Sequence, residues 1–220
     1  MKTMNRFIVV SLILFIFPSW AGAEADSQQA YELIDKKINS LMQAIESSKV
    51  KAQFSDAQKI MLVDEHLGDV VDFKRIARRV MAKHFKGATK AQQSRFLTVF
   101  KDSLLNTYAM GLWEFNNYKV NLLPLNKSNQ TLRNTQVGFE VVTSSGQVFP
   151  VVQSLYFHPK KNQWFVQNVI INGINMGLLF RDQFARLVAE KGSIDLAIDH
   201  WSVSEANSNS AASMSPQGAP

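Results

Sequence analysis

The sequence predicts an α+β fold, with helices packed on one face of an antiparallel sheet of about four strands. Three observations predict it. Apolar residues recur at helical spacing through the first half of the chain and again near its end. Four segments between these stretches switch to a β-branched and aromatic composition bounded by turn signals. The turns are short, and parallel strands need long crossovers, so the pairing is expected to be an antiparallel meander.

Residues 1–23 stand outside this fold. Lys2 and Arg6 make a positive start, Phe7 to Phe17 is an apolar run of eleven residues, and Pro18-Ser19-Trp20 breaks it before the small residues Ala21-Gly22-Ala23. This is the pattern of a secretory signal peptide. A spanning helix needs about 20 apolar residues, so the run is too short to cross a bilayer. Cleavage is expected after Ala23, with Ala23-Glu24-Ala25 offering a second site. The chain has no cysteine, which excludes thiol chemistry, disulfides and a lipoprotein anchor, and fits a bacterial periplasm. No other apolar run is long enough to span a bilayer, so a soluble mature protein is expected. The leader removes two of the 24 Lys+Arg and none of the 18 Asp+Glu, leaving a net charge of +4. That mild bias permits contact with anionic lipid or an acidic partner and does not call for nucleic acid.

One domain is expected over residues 24–201, followed by a disordered tail at 202–220 that is rich in Ser, Ala and Asn and lacks apolar periodicity. Tyr31, Ile34, Ile38, Leu41 and Ile45 predict an amphipathic helix over 27–48. Ser55-Asp56-Ala57-Gln58 is a capping box opening a second helix that runs to about His66, with Gly68 closing it. Asp72 can cap a third, with Phe73, Ile76, Ala77, Val80, Met81 and Phe85 on one face and Gly87 at its end. Its charges, Lys74, Arg75, Arg78, Arg79 and Lys83, share the remaining surface. Thr89-Lys90-Ala91-Gln92 is another capping box, opening a long helix with Phe96, Phe100, Leu104, Tyr108 and Leu112 at four-residue spacing. The strands follow as YKVNLLPL, TQVGFEVVTS, QVFPVVQSLYFH and QWFVQNVIIN. After Gly173 the helical period returns with Met176, Leu179, Phe180, Phe184, Leu187 and Val188, and a short helix from Ile194 to Trp201 closes the domain.

No catalytic constellation can be assembled. His66, His84, His158 and His200 are scattered, without zinc spacing. Asp64-Glu65-His66 are adjacent on a helix and so cannot face one point, and Asp199-His200 is a lone pair. Ser48 and Lys51 match S-x-x-K but lack companion motifs. No catalytic residue, metal ligand or cofactor is therefore expected. The chain is instead rich in apolar bulk: of 15 phenylalanines three lie in the leader, and twelve remain. In VFPVVQSLYF and WFVQNVIIN apolar residues fall on both faces. Either the sheet curls around a cavity or helices cover both sides.

Two stretches carry a resemblance. VDFKRIARRVMAKHFKGATKAQQSRFLTVFKDSLLNTYAMGL and, later, WFVQNVIINGINMGLLFRDQF resemble the MlaC family, also called the toluene-tolerance or Ttg2 auxiliary proteins. The shared series is Asp72-Phe73, Ala88-Thr89 with Gln92, Phe96 with Phe100, and Thr107-Tyr108-Ala109. It continues with Trp164 and Val166, Ile171 and Gly173, and Arg181 with Gln183-Phe184. Each motif is weak alone, and the ordered set spans about residues 27–200. The family usually has an Asp in the strand after the Trp, where this chain has Asn168, and Val-Ser-Leu is common where it has INMG. A charged role of that Asp would be performed differently here.

The resemblance implies an NTF2-like periplasmic phospholipid carrier, not an enzyme. It would act as a monomer that shuttles lipid between an outer-membrane lipoprotein complex and an inner-membrane ABC complex, maintaining outer-membrane lipid asymmetry. Each buried CH₂ is worth about 0.8 kcal/mol, so one acyl chain resists water by on the order of 10 kcal/mol and needs a deep apolar pocket. The amphipathic faces nominate Val80, Phe100, Leu104 and Tyr108 from the helices, Val151, Leu155, Val166 and Val169 from the sheet, and Phe184 from the late helix. Arg78 and Arg79 lie on the polar side of the third helix, a solvated face able to meet phosphate or an acidic partner. Two other readings stay open: a periplasmic enzyme using the same cavity, and a protein-interaction module with a packed core.

Overall fold

A computed structural model of the chain describes residues 26–51, 54–114, 118–126, 131 and 133–205. The proposed leader and most of the proposed tail lie outside these residues. The elements are α1 (Ser27–Lys51), α2 (Asp56–Leu67), α3 (Phe73–Met81), a 3₁₀ turn (Ala82–Phe85), α4 (Lys90–Glu114), β1 (Lys119–Leu122), β2 (Asn134–Val142), β3 (Val148–His158), β4 (Gln163–Ile171), β5 (Ile174–Asn175), α5 (Met176–Lys191) and α6 (Ile194–Asp199).

The helix starts form where their capping residues predict. The Ser55 side chain accepts from the Gln58 N–H while Gln58 returns a bond to the Ser55 backbone. Thr89 and Gln92 repeat the exchange at 2.8 and 3.2 Å. Asp72 Oδ1 accepts from the Arg75 N–H at 2.9 Å. The third helix departs from expectation. It ends at Met81, Ala82 takes φ 46°, and the chain continues as a 3₁₀ turn. Tertiary packing explains the break: the turn sets the His84 ring edge-on to Phe184 and places Phe85 beneath the Arg78 guanidinium.

The sheet is an antiparallel meander in the order β1-β2-β3-β4-β5, one short strand more than the sequence predicts. β5 adds only the pairs Ile170–Asn175 and Ile171–Ile174, too few residues to leave a period in the sequence. The β3–β4 register shifts between Ser154 and Leu155, a bulge that strengthens twist. Farther along β4, Val166 donates to Val70 and accepts from Asp72, so the lead-in to α3 is stitched to the sheet edge. Packing continues past the expected domain end at residue 201. Val203 is fully buried, and its N–H donates to Ser103 Oγ at 2.9 Å.

Domains of this size usually build one contiguous core. Here the buried residues divide into three clusters. The largest joins α3, the first half of α4, α5 and α6 around Phe96, Phe100, Phe180, Phe184 and Trp201. A second joins the start of α1 to the sheet through Ala30, Ile34, Val137, Leu155, Phe157, Trp164 and Val166. A third joins the rest of α1 to α2 and the second half of α4 through Leu41, Ile45, Val63, Leu105 and Ala109.

Candidate functional site

Strand register assigns the residues of each sheet face, because side chains alternate and directly paired residues share a side. One face carries Leu122 from β1; Thr135, Val137, Phe139 and Val141 from β2; Phe149, Val151, Gln153, Leu155 and Phe157 from β3; and Trp164, Val166, Val169 and Ile171 from β4. The bulge after Val166 lets Val169 and Ile171 keep this side. This face is graded. At one end Thr135, Val137, Leu155, Phe157, Trp164 and Val166 are buried beneath the start of α1. At the other, Phe139, Val141, Phe149, Val169 and Ile171 are only half-buried around buried Val151.

The path of α1 explains the gradient. Ala30 and Ile34 pack on the sheet, and from Leu41 onward the helix belongs to the cluster with α2 and α4. α4 packs mainly on α2, α3 and α6, while α1, α3 and α5 make the main helix packing against the strands. The seam between the sheet cluster and the helical clusters is therefore the candidate cleft, lined by half-buried apolar residues. Half-buried Leu104 and Tyr108 of α4 and Ile171 and Ile174 of the sheet edge lie against the helical side. Half-buried Val169 and Leu122 lie against the sheet side.

The nine residues nominated from sequence fall into two groups. Val80, Phe100 and Phe184 are closed into the helical cluster, and Leu155 and Val166 into the sheet cluster. Leu104 and Tyr108 border the seam from α4, Val169 borders it from β4, and Val151 pairs with half-buried Phe139 at the open end. Pattern reasoning did not nominate Phe139, Val141, Phe149 or Ile171, although their place on the face follows from alternation once the register is known.

Two polar groups mark the cleft. Gln153 Oε1 and the Tyr118 hydroxyl are buried atoms without a hydrogen-bond partner among the described residues. Gln153 belongs to the graded face, and Tyr118 precedes β1 with the parity of Val120 and Leu122. Burial, then the charge of Glu46, pushes the Tyr118 phenol up to about 12, so it stays a neutral donor at physiological pH.

Asn168 has a structural task. Its Oδ1 accepts from the Gly177 N–H at 3.0 Å, and its Nδ2 donates to Asn175 Oδ1, which in turn accepts from the Leu178 N–H and caps α5. A carboxylate could also accept from Gly177, so the departure from Asp changes a charge at a helix N-terminus and not a catalytic group. The other candidates are likewise structural. Asp64 pairs with Lys101 at 2.7 Å, Asp199 pairs with Arg95 at 2.9 Å, and Ser48 donates to the Ile45 carbonyl. Among the described residues no group of His, Asp or Glu could hold a metal ion, and no helix is long and apolar enough to cross a membrane.

Fold and site thus define an α+β protein in which half-buried apolar residues line the seam between an antiparallel sheet and a helical layer. The chain belongs to the MlaC protein family, whose model matches residues 35–203. It is 32% identical over 208 residues to the toluene tolerance protein ttg2D of Pseudomonas putida, covering 94% of each chain. Its fold is that of a phospholipid-binding protein from Ralstonia solanacearum, solved in complex with a phospholipid. The TM-score is 0.70 at 22% identity, over 83% of this chain and 98% of that one.

Proposed function

We propose that this protein is a periplasmic carrier that holds a phospholipid by its acyl tails in the cleft. In this reading it moves the lipid between the inner and outer membranes for an ABC transport system that maintains outer-membrane asymmetry. Its exchange partners are the inner-membrane ABC complex and an outer-membrane lipoprotein complex. One observation carries the reading: apart from Thr135 and Gln153 the inner sheet face is apolar, yet among the described residues helices bury only one end of it. Family membership and the phospholipid-bound structural neighbour support it.

Leu104, Tyr108, Val151 and Val169 line the cleft in this reading, together with Phe139, Val141, Phe149 and Ile171. Val80, Phe100, Leu155, Val166 and Phe184 stiffen its walls from behind. The tails replace water on the half-buried face, and Tyr118 and Gln153 can pair with polar atoms of the lipid. The residues supply packing and hydrogen bonds and carry out no bond making. Protein purified from the periplasm and extracted with solvent should release phospholipid detectable by mass spectrometry at close to stoichiometric yield. Repeatedly lipid-free extracts of folded protein would sink the reading.

A further inference from the structure

Away from the cleft, α3 and the 3₁₀ turn carry charge of one sign, and α5 beside them adds Arg181 with Asp182. Arg78, Arg79, Lys83 and Lys86 are exposed. The ion pairs among the described residues engage other cations: Lys37, Lys59, Arg95, Lys101 and Arg181. A cavity of about 270 Å³ opens in this surface, with apolar walls from Met81, Ala82 and Ala185. Exposed Lys83 and Arg181 bring positive charge to it, and its acid, Asp182, is engaged with Arg181 at 3.2 Å. His84 also lines it, and the Nε2 of that ring is buried with no hydrogen-bond partner among the described residues.

Ala82 turns the chain here at φ 46° and ψ −118°, a conformation an alanine rarely adopts. The strain is held by the His84 contact with Phe184, and it delivers Lys83 and His84 to the cavity.

We propose that this cavity is a docking site for an acidic peptide segment of a partner protein, one carboxylate entering between Lys83 and Arg181. Shape favours a peptide over a bilayer, because the cavity accepts a single side chain and a lipid surface would meet the exposed cations without entering. Leu178, one turn before Arg181 and 47% exposed, gives the segment an apolar neighbour. A single leucine is too little to anchor a protein in lipid. The inference does not depend on what the cleft holds.

The test is a ¹H–¹⁵N NMR titration of the full mature chain with the blocked hexapeptide Leu-Glu-Asp-Leu-Glu-Asp, against its Gln/Asn counterpart. The acidic peptide should shift resonances within residues 81–86 and 178–186, and the Gln/Asn peptide should not. Lys83→Glu combined with Arg181→Glu should weaken the response about tenfold or more, while Lys161→Glu, on the exposed β3–β4 turn, should leave it unchanged. Solvent-extracted lipid from the double variant should match the parent, which separates this result from any failure of the carrier reading. Absent or scattered shifts, equal response to both peptides, or an unaffected double variant would each overturn the proposal. So would flotation with phosphatidylglycerol-containing vesicles that the double variant loses while the peptide gives no localised shifts.

Discussion

The helical layer and the open half of the sheet are both apolar, and they differ in what covers them. Around Phe100 the cover is complete. Its ring lies 5.7 Å from Phe96, 5.9 Å from Phe180 and 5.9 Å from Trp201, and none of it is exposed. Around Phe139 it is partial: the residue sits in the middle of a sheet whose covering helix has already turned away to α2 and α4. A protein that only needed to fold would close the second region as it closed the first. Leaving it half open costs hydrophobic stabilisation, which a ligand of matching character can return.

The largest expected effect tests the closed region. Phe100→Ala should lower stability by about 3–5 kcal/mol, measured by urea denaturation, because it opens a cavity among rings that cannot collapse into it. Lipid bound per folded molecule should stay near the parent value. If lipid falls while stability holds, Phe100 belongs to the cleft and the division between the regions is wrong.

Next comes the joint between them. A Cβ on Gly177 would lie 2.6 Å from Asn168 Oδ1. Gly177→Ala should therefore cost about 2 kcal/mol by forcing apart the bond that ties α5 to β4, read as a lower denaturation midpoint. Asn168→Asp should move the midpoint far less, since the carboxylate can still accept from Gly177 and suits the positive end of the helix. An equal loss in both variants would show that the amide's second bond, to Asn175, is the essential one.

Phe139→Glu addresses the open region directly. A charge on the half-buried face can still reach water, so the fold should survive, while the cleft becomes hostile to an acyl chain. Extracted phospholipid should drop about tenfold, equivalent to about 1.4 kcal/mol of binding. Unchanged lipid in a folded variant would move the binding surface elsewhere.

Much of this frame was legible in the sequence, for local reasons. Ser55 with Gln58, Thr89 with Gln92, and Asp72 are hydrogen-bonding devices whose partners lie within three residues, so spacing alone reveals them. The strands and their meander follow from composition and turn length. The site was less legible, because an amphipathic period shows which side of an element is apolar and not what packs against it. Phe96, Phe100, Leu104 and Tyr108 form one stripe in the sequence, yet the first two end in closed core and the last two at the seam. The break at Ala82 was hidden for a related reason. The period of α3 runs smoothly through Phe85, and only the contact of His84 with Phe184, a hundred residues later, turns the backbone.

The smallest expected effect comes from two tyrosines with the same titration behaviour and opposite surroundings. Tyr156, on the outer face, donates to Asp72 and lies under the Arg75 guanidinium. Burial, then the Asp72 bond, pushes it up to about 12. Tyr118 reaches about 12 through burial, then the charge of Glu46, with no partner for its hydroxyl among the described residues. Raised values favour the neutral phenol in the folded state. The associated stability is fully present below the unfolded value of about 10 and is lost as pH rises through about 12. Both Tyr→Phe variants should therefore flatten the stability decline between these limits. At neutral pH they should part company. Tyr156→Phe removes a made bond to a carboxylate and should cost about 1–2 kcal/mol. Tyr118→Phe removes an unpaired buried hydroxyl, so lipid-free protein should lose nothing or gain slightly, while bound phospholipid should exchange faster. Equal losses of stability in the two lipid-free variants would mean that the Tyr118 hydroxyl is already satisfied by solvent. The cleft's polar contact would then have to be sought at Gln153.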